Sequence, residues 1–166
     1  MLINLKHSLK LGLYLALCCS LTGTEETPQM LRRLIQEGRF IEAARSSERL
    51  LATNPSHVEA LATKSQALSG FLDFNEALLG AEKALQKNNQ SAEAHLAKGI
   101  ALMGLALQQI SFQSMIRVSR ALEAMERSTE LDPSYAYAWF TLGLSRGKLP
   151  LLLGGSKSQS FHRSEE

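Results

Sequence analysis

Cysteine is almost absent from this chain. The 166 residues contain two cysteines, which are adjacent at Cys18 and Cys19. No cysteine follows them, so disulfide bonds cannot stabilise the remaining chain and no thiol there can act as a nucleophile. Net charge is also missing after residue 20, because 16 basic side chains balance 16 acidic ones. A neutral chain has no overall electrostatic attraction to nucleic acid or to an anionic membrane.

Residue patterns for catalysis and metal binding are missing too. The four histidines lie far apart, and no two of them have the spacing of metal ligands. The sequence contains no Gly-x-Ser-x-Gly motif, phosphate-binding loop or dinucleotide fingerprint. We therefore predict that the chain is not an enzyme and needs neither a metal nor a cofactor.

The N-terminal segment has the pattern of a secretory signal peptide. Lys6, His7 and Lys10 precede the short apolar run Leu11–Cys19, which is the order found in export signals. The run is shorter than the about 20 residues that span a bilayer. We predict a signal peptide over residues 1–20 and a location in the periplasm or bacterial envelope. The alternative is that this segment forms an amphipathic first helix of the domain.

The two cysteines stand where a lipoprotein signal would carry its acylated residue. Leu15-Ala16-Leu17-Cys18 resembles a bacterial lipobox, although Leu17 occupies a place where Gly, Ala or Ser is usual. If Cys19 is the acceptor, Cys18 occupies that place instead. Soluble export and lipid anchoring through Cys18 or Cys19 both remain open.

Three stretches of the chain are copies of one another. Residues 41–56, 75–90 and 119–134 align without a gap, and their starting points are 34 and 44 residues apart. Equivalent places hold an alanine, a glutamate and a basic residue in every copy. A period of this size is typical of stacked supersecondary units.

Both halves of each repeat have helical periodicity. In the second copy, Ala77, Ala81 and Ala84 recur at steps of three and four residues, as on one face of a helix. Another helical pattern occupies residues 58–68 and, again, 92–102. The repeat is therefore a helix, a short turn and a second helix, and we predict an all-α fold.

These motifs resemble those of the tetratricopeptide repeat (TPR) family. Trp139-Phe140-Thr141-Leu142-Gly143 is similar to the opening of that repeat, Gly38–Ala44 to its middle and Asp132-Pro133 to its end. The resemblance implies a right-handed superhelix of about three and a half helical hairpins over residues 24–150. These hairpins would span 24–57, 58–91, 92–135 and 136–150, and the third would contain ten extra residues, Leu105–Ser114.

The resemblance also predicts a core. Small residues would allow close approach where paired helices cross; they are Ala43, Ala77, Ala121, Gly99 and Gly143. Larger apolar residues would fill the layer between neighbouring hairpins; they are Leu34, Leu68, Leu102, Phe40 and Phe74. Trp139 would be buried with them.

The first helix of each TPR hairpin lines the concave face of the superhelix, and this implies a partner-binding groove. Carried over position by position, the groove would be formed by Arg32, Gln36, Thr63, Gln66, Ile100, Met103, Tyr137, Phe140 and Leu144. Its N-terminal half is polar and its C-terminal half apolar, so a partner helix or extended peptide could bind there. The predicted function is non-catalytic protein–protein interaction or scaffolding in the bacterial cell envelope. Alternatively, the tail or a second copy of the chain covers the apolar half.

A shorter resemblance lies near the C-terminus. The segment Leu149–Lys157 is similar to a loop of exported bacterial TPR proteins such as the T-component of tripartite periplasmic solute transporters. It implies an alternative function, an accessory periplasmic subunit that delivers a small organic solute to a membrane transporter. Residues 151–166 would then be a Gly-Gly loop and a short tail. Because the fourth hairpin is incomplete, a homodimer could form there to cover Trp139, Phe140 and Leu142.

Overall fold

The structure is a computed structural model that describes residues 27–108 and 111–147. These residues form seven helices: α1 (Pro28–Gln36), α2 (Phe40–Thr53), α3 (Val58–Gly70), α4 (Phe74–Lys87), α5 (Ala92–Gln108), α6 (Phe112–Leu131) and α7 (Ala136–Gly147). Within these ranges there is no strand, and no helix is long and apolar enough to cross a membrane. The predicted all-α fold is confirmed. The predicted signal peptide over 1–20, with Cys18 and Cys19, and the predicted tail over 151–166 lie outside the described residues.

Local signals set the starts of the helices. The Thr27 hydroxyl accepts a hydrogen bond from the Met30 amide at 3.2 Å, and Pro28 follows in the first turn of α1. Proline suits this position because the N–H that it lacks would have no helical partner there. Asp73 caps α4 in a similar way, by accepting from the Glu76 amide at 3.4 Å.

The turns that join one hairpin to the next share one conformation. In each turn a side-chain oxygen just after the second helix accepts a hydrogen bond from the amide two residues later. The pairs are Asn54 with Ser56 at 3.0 Å, Asn88 with Gln90 at 2.9 Å and Asp132 with Ser134 at 3.1 Å. The three sequence copies are therefore equivalent in structure.

The turn inside a hairpin requires a left-handed backbone. Gly38 has a φ of 71°, and Leu72, at the equivalent place in the second hairpin, has a φ of 65°. In both turns the next amide bonds to the carbonyl five residues back, at 2.9 and 3.0 Å. Glycine adopts this conformation without strain, whereas a bulky residue such as leucine is disfavoured by about 1–2 kcal/mol. Leu72 is therefore a strained residue.

Alanines lie where paired helices cross, as predicted. Ala43, Ala77 and Ala121, one on the second helix of each complete hairpin, are fully buried. On the first helices, Ala60 and Ala94 are fully buried as well. Side chains of this size let helix axes approach closely, so this part of the predicted core is confirmed.

Neighbouring hairpins pack through an aromatic ring and a glycine. Phe40 lies against Gly70 of the next hairpin, and Phe74 lies against Gly104 in the same way, because a Cβ added at either glycine would overlap the ring. The predicted position of both rings between hairpins is confirmed. The partner glycines were not predicted, since glycine near a helix C-terminus more often indicates a cap.

Two core predictions for the fourth hairpin are wrong. Trp139 is 51% exposed, and its indole N–H donates to the Pro133 carbonyl at 3.1 Å. A Cβ added at Gly143 would have no described atom within 4 Å. The reason is that, within the described residues, no second helix follows α7 and packs on this face. Leu142, by contrast, is 2% exposed, so it is not available to a homodimer in this conformation.

The third hairpin is longer than the second at its tip. α3 and α4 have 13 and 14 residues, whereas α5 and α6 have 17 and 20. By the repeat alignment, the additional helical residues are 105–108 at the end of α5 and 112–117 at the start of α6. At 1.5 Å per residue these segments carry the tip about 6–9 Å beyond the neighbouring turn.

Candidate functional site

The nine predicted groove residues lie in three environments. Thr63, Gln66 and Met103 are buried. Arg32, Ile100 and Tyr137 are half-buried, and Gln36, Phe140 and Leu144 are exposed. Because the first three are covered by the protein itself, a partner that meets this conformation can contact only members of the other two groups.

Arg32 links the first hairpin to the third. Its guanidinium donates to Glu93 Oε1, with Nε at 2.7 Å and Nη2 at 2.5 Å, and Nη2 lies 2.9 Å from Asp132 Oδ2. It also stacks 4.4 Å above the ring of Tyr135. Burial tends to lower the pKa of Arg32, but the bonds to the two carboxylates outweigh burial and raise it. Hydrogen bonds from Ser134 first and Arg32 second lower the pKa of Asp132.

Gln66 and Tyr137 of the predicted groove are also engaged inside the protein. Gln66 Nε2 donates to the Glu93 carbonyl at 3.1 Å, so Glu93 is contacted from both α1 and α3. Tyr137 packs against the first hairpin as well as against the core of the third, and burial raises its pKa. Apart from the exposed Gln36, the polar half of the predicted groove is therefore covered by contacts within this chain. Sequence analysis missed Glu93 and Asp132 because neither belongs to a groove position of the repeat.

Of the apolar half, only Phe140 and Leu144 are exposed among the described residues. Trp139, Phe140, Gly143, Leu144 and Gly147 form one stripe on α7 and line a shallow depression of about 530 Å³. The three large side chains are 50–61% exposed. The Trp139 N–H is already bonded to a backbone carbonyl, so the three side chains of the stripe offer apolar area and no free polar group. Phe140 and Leu144 were predicted for the groove, whereas Trp139 was assigned to the core.

A second, charged cleft of about 710 Å³ lies between α4, α5 and α6. Leu78 and Leu102 are among its lining residues, and charges of both signs surround them. Arg127 pairs with Glu130 at 2.9 Å. His95 Nε2 lies 2.9 Å from the Asn89 carbonyl, and desolvation lowers its pKa. No three His, Cys, Asp or Glu side chains among the described residues are placed to hold a metal ion.

Comparison with solved structures identifies the class of fold. TTC0263, a TPR protein of Thermus thermophilus, superposes with a TM-score of 0.59 at 24% identity, over 77% of this chain and 66% of that one. An O-GlcNAc transferase mutant from Thermobaculum terrenum superposes with a TM-score of 0.53 at 20% identity, over 75% of this chain and 23% of that one. MamA matches at 25% identity over 70% of this chain and 63% of that one, with a TM-score of 0.45. No protein-family model and no curated protein sequence matches.

These superpositions place the chain among the helical-hairpin solenoids. More particularly, its repeated hairpins and its structural neighbours show that it has the tetratricopeptide-repeat fold. The chain spans somewhat less than two thirds of TTC0263 and about a quarter of the transferase. The predicted resemblance to the T-component of solute transporters is not supported by these matches, and the segment that carries it, 149–157, lies outside the described residues.

Proposed function

We propose that the chain is a non-catalytic protein-interaction module that binds an apolar helix or extended segment of a partner on the apolar stripe of α7. The observation that carries this proposal is the exposure of Trp139, Phe140 and Leu144 on one helix face. A protein-binding role also agrees with the TPR fold, in which stacked hairpins present an extended surface.

The chemistry of the stripe favours a protein over a small solute. Tryptophan and phenylalanine are enriched at the centres of protein interfaces, where they supply large apolar area. A site for an organic acid normally combines an enclosed cavity with a few polar groups that orient the ligand. The α7 depression is shallow, and its side chains have no free polar group. Solute delivery therefore receives no support from this site.

We further propose that the protein acts in the bacterial envelope, because residues 1–20 have the pattern of an export signal. Cell fractionation of the full chain tests this location. Recovery from the periplasm or the membrane fraction is expected, and acylation at Cys18 or Cys19 would appear as a mass increase of the membrane form. Recovery from the cytoplasm alone would contradict the proposal.

Site-specific cross-linking tests the interaction surface. A photoreactive phenylalanine analogue replaces Leu144 in the full chain, expressed in the native organism. We expect a discrete adduct with one other protein, identified by mass spectrometry, and we expect Phe140→Asp to abolish it. Ile41→Asp is the matched control, since Ile41 is an equally exposed apolar residue on α2, and it should leave the adduct intact. The absence of an adduct, or an adduct only with a second copy of the chain, would overturn the proposal.

A further inference from the structure

The tip of the third hairpin exposes apolar side chains that the solenoid does not need. Leu107, Phe112, Met115 and Ile116 are all exposed, and Phe112 is 79% exposed. They lie on the added helical segments that project beyond the neighbouring turn. Contiguous exposed apolar residues on a soluble protein commonly mark a contact surface. The same tip is absent from the second hairpin, so it is not required for the repeat packing.

The sequence of this tip contains basic but no acidic side chains. No Asp or Glu occurs between Glu93 and Glu123, although the chain after residue 20 is neutral overall. Arg117 and Arg120 follow the apolar tip residues on α6, and Arg120 stands one helical turn after Ile116. Both arginines also line the charged cleft, with Glu82 and Glu123, but no ion pair within the described part of the chain engages either of them. Their charges are therefore free to meet an anionic partner.

The adjacent turn extends the apolar surface. Gln108 Nε2 lies 3.5 Å from the carbonyl of Leu72, which places the strained Leu72 beside the tip with its side chain 68% exposed. Glycine would relieve the strain at this position, as it does at Gly38. A strained and exposed leucine has no evident role in the fold itself. Asp73, the nearest acid on that turn, is engaged as the cap of α4.

We propose that this tip, formed by Leu107, Phe112, Met115 and Ile116 with the adjoining Leu72, inserts into the surface of a bilayer that contains anionic lipid. Arg117 and Arg120 then contact the headgroup phosphates. A projecting convex tip provides no groove for a peptide, whereas a fluid lipid surface requires no shape complementarity. Basic residues beside Phe, Met and Ile are also the pattern of helices that lie in the membrane interface. Contact between the tips of two copies would bring the four arginines near one another, which like-charge repulsion disfavours.

A local fluorescent reporter tests insertion of the tip, because the N-terminal apolar segment could hold the full chain on vesicles without involving α6. The chain has a single tryptophan, Trp139. In a Trp139→Phe background, Phe112→Trp places the reporter at the tip, and Leu79→Trp places it at a similarly exposed position on α4 as the control. With phosphatidylglycerol vesicles we expect a blue shift and quenching by brominated lipid at position 112 but not at position 79.

The same fluorescent reporter tests the contribution of the two arginines to vesicle binding. Each basic residue near an anionic surface adds about 1 kcal/mol, so Arg117→Gln with Arg120→Gln should weaken the vesicle binding reported at position 112 by about 30-fold. Phosphatidylcholine vesicles should give a similarly weak response. The proposal is overturned by an unchanged spectrum at position 112, by equal shifts at both positions, by an unaltered response of the arginine variant, or by a concentration-dependent blue shift without vesicles. That last result would indicate self-association.

Discussion

A methyl group added at Gly99 would meet a packed helix, whereas one added at Gly143 would meet open space. The two glycines hold equivalent repeat positions on α5 and α7. A Cβ at Gly99 would lie 2.6 Å from Met125 Cγ and 2.9 Å from the Ala121 carbonyl oxygen, and only the methionine can move easily. At Gly143 no described atom lies within 4 Å. We therefore predict that Gly99→Ala and Gly143→Ala change stability in opposite directions.

The magnitudes follow from two competing effects. Alanine is favoured over glycine inside a helix by about 0.8–1.0 kcal/mol, whereas overpacking a well-filled core costs about 1–3 kcal/mol. At Gly99 the clash includes a backbone oxygen of α6, so the packing cost exceeds the helix gain. The free energy of unfolding should fall by up to about 2 kcal/mol. At Gly143 only the helix gain operates, so it should rise by about 0.5–1 kcal/mol.

Urea unfolding followed by circular dichroism measures both variants against the parent chain. With a denaturant slope of about 1–3 kcal/mol/M, a difference of about 2 kcal/mol between them separates their midpoints by roughly 1 M. Opposite shifts are expected. If Gly99→Ala raises the midpoint, or if both variants shift in the same direction, the close α5–α6 crossing at Gly99 is refuted.

Three further predictions concern the contacts between hairpins, the strained turn and acid sensitivity. Arg32→Ala should lower the free energy of unfolding by about 1–3 kcal/mol, because it leaves the partly buried Glu93 without its cation. It should also speed amide exchange in α1. The control Arg33→Ala removes only an exposed pair with Glu37 and should lower the free energy of unfolding by less than about 0.5 kcal/mol. Leu72→Gly should raise the free energy of unfolding by about 0.5–1 kcal/mol by relieving the positive φ, and a lower melting temperature would contradict this. Asp132 has a lowered pKa in the folded state, so its contribution to stability is complete above about pH 5 and is lost as the pH falls through that lowered value. The urea midpoint of Asp132→Asn should therefore depend less on pH below about pH 5 than that of the parent chain. Equal pH dependence would contradict the role of the carboxylate.

The features that could be predicted from the sequence are those determined by residues within a single repeat. Ala43, Ala77 and Ala121 have the spacing of one helix face, and all three are buried where helices cross. The turns at Asn54, Asn88 and Asp132 are likewise determined by four or five adjacent residues. These features depend on short-range periodicity and turn chemistry, which a single sequence shows directly.

The errors concern residues whose surroundings come from another helix. Trp139 and Gly143 match core positions of the repeat motif, but a motif match does not supply the neighbouring helix that would bury them. Their exposure turned a predicted part of the core into part of the candidate interaction surface. The predicted groove residues were assigned by the same position-by-position transfer, and burial divides them into three groups for the same reason.

The contacts of Arg32 could not have been predicted from the repeat either. Glu93 is 61 residues away along the chain, and Asp132 belongs to the turn after α6. Both partners lie in the third hairpin, whereas Arg32 lies in the first, and only the curvature of the stacked hairpins brings their carboxylates to its guanidinium. Curvature accumulates from small rotations at every interface, and no local pattern encodes it.

By itself, then, the chain's repeating pattern of small, apolar and capping residues determined that it folds into stacked helical hairpins, because each hairpin forms from contacts between residues near one another in sequence. Only the tertiary structure decided that most of the polar half of the inner face is covered, that the α7 stripe is exposed among the described residues and that the third hairpin projects. Each of these outcomes depends on which surfaces other helices cover, and that depends on how all the hairpins pack together.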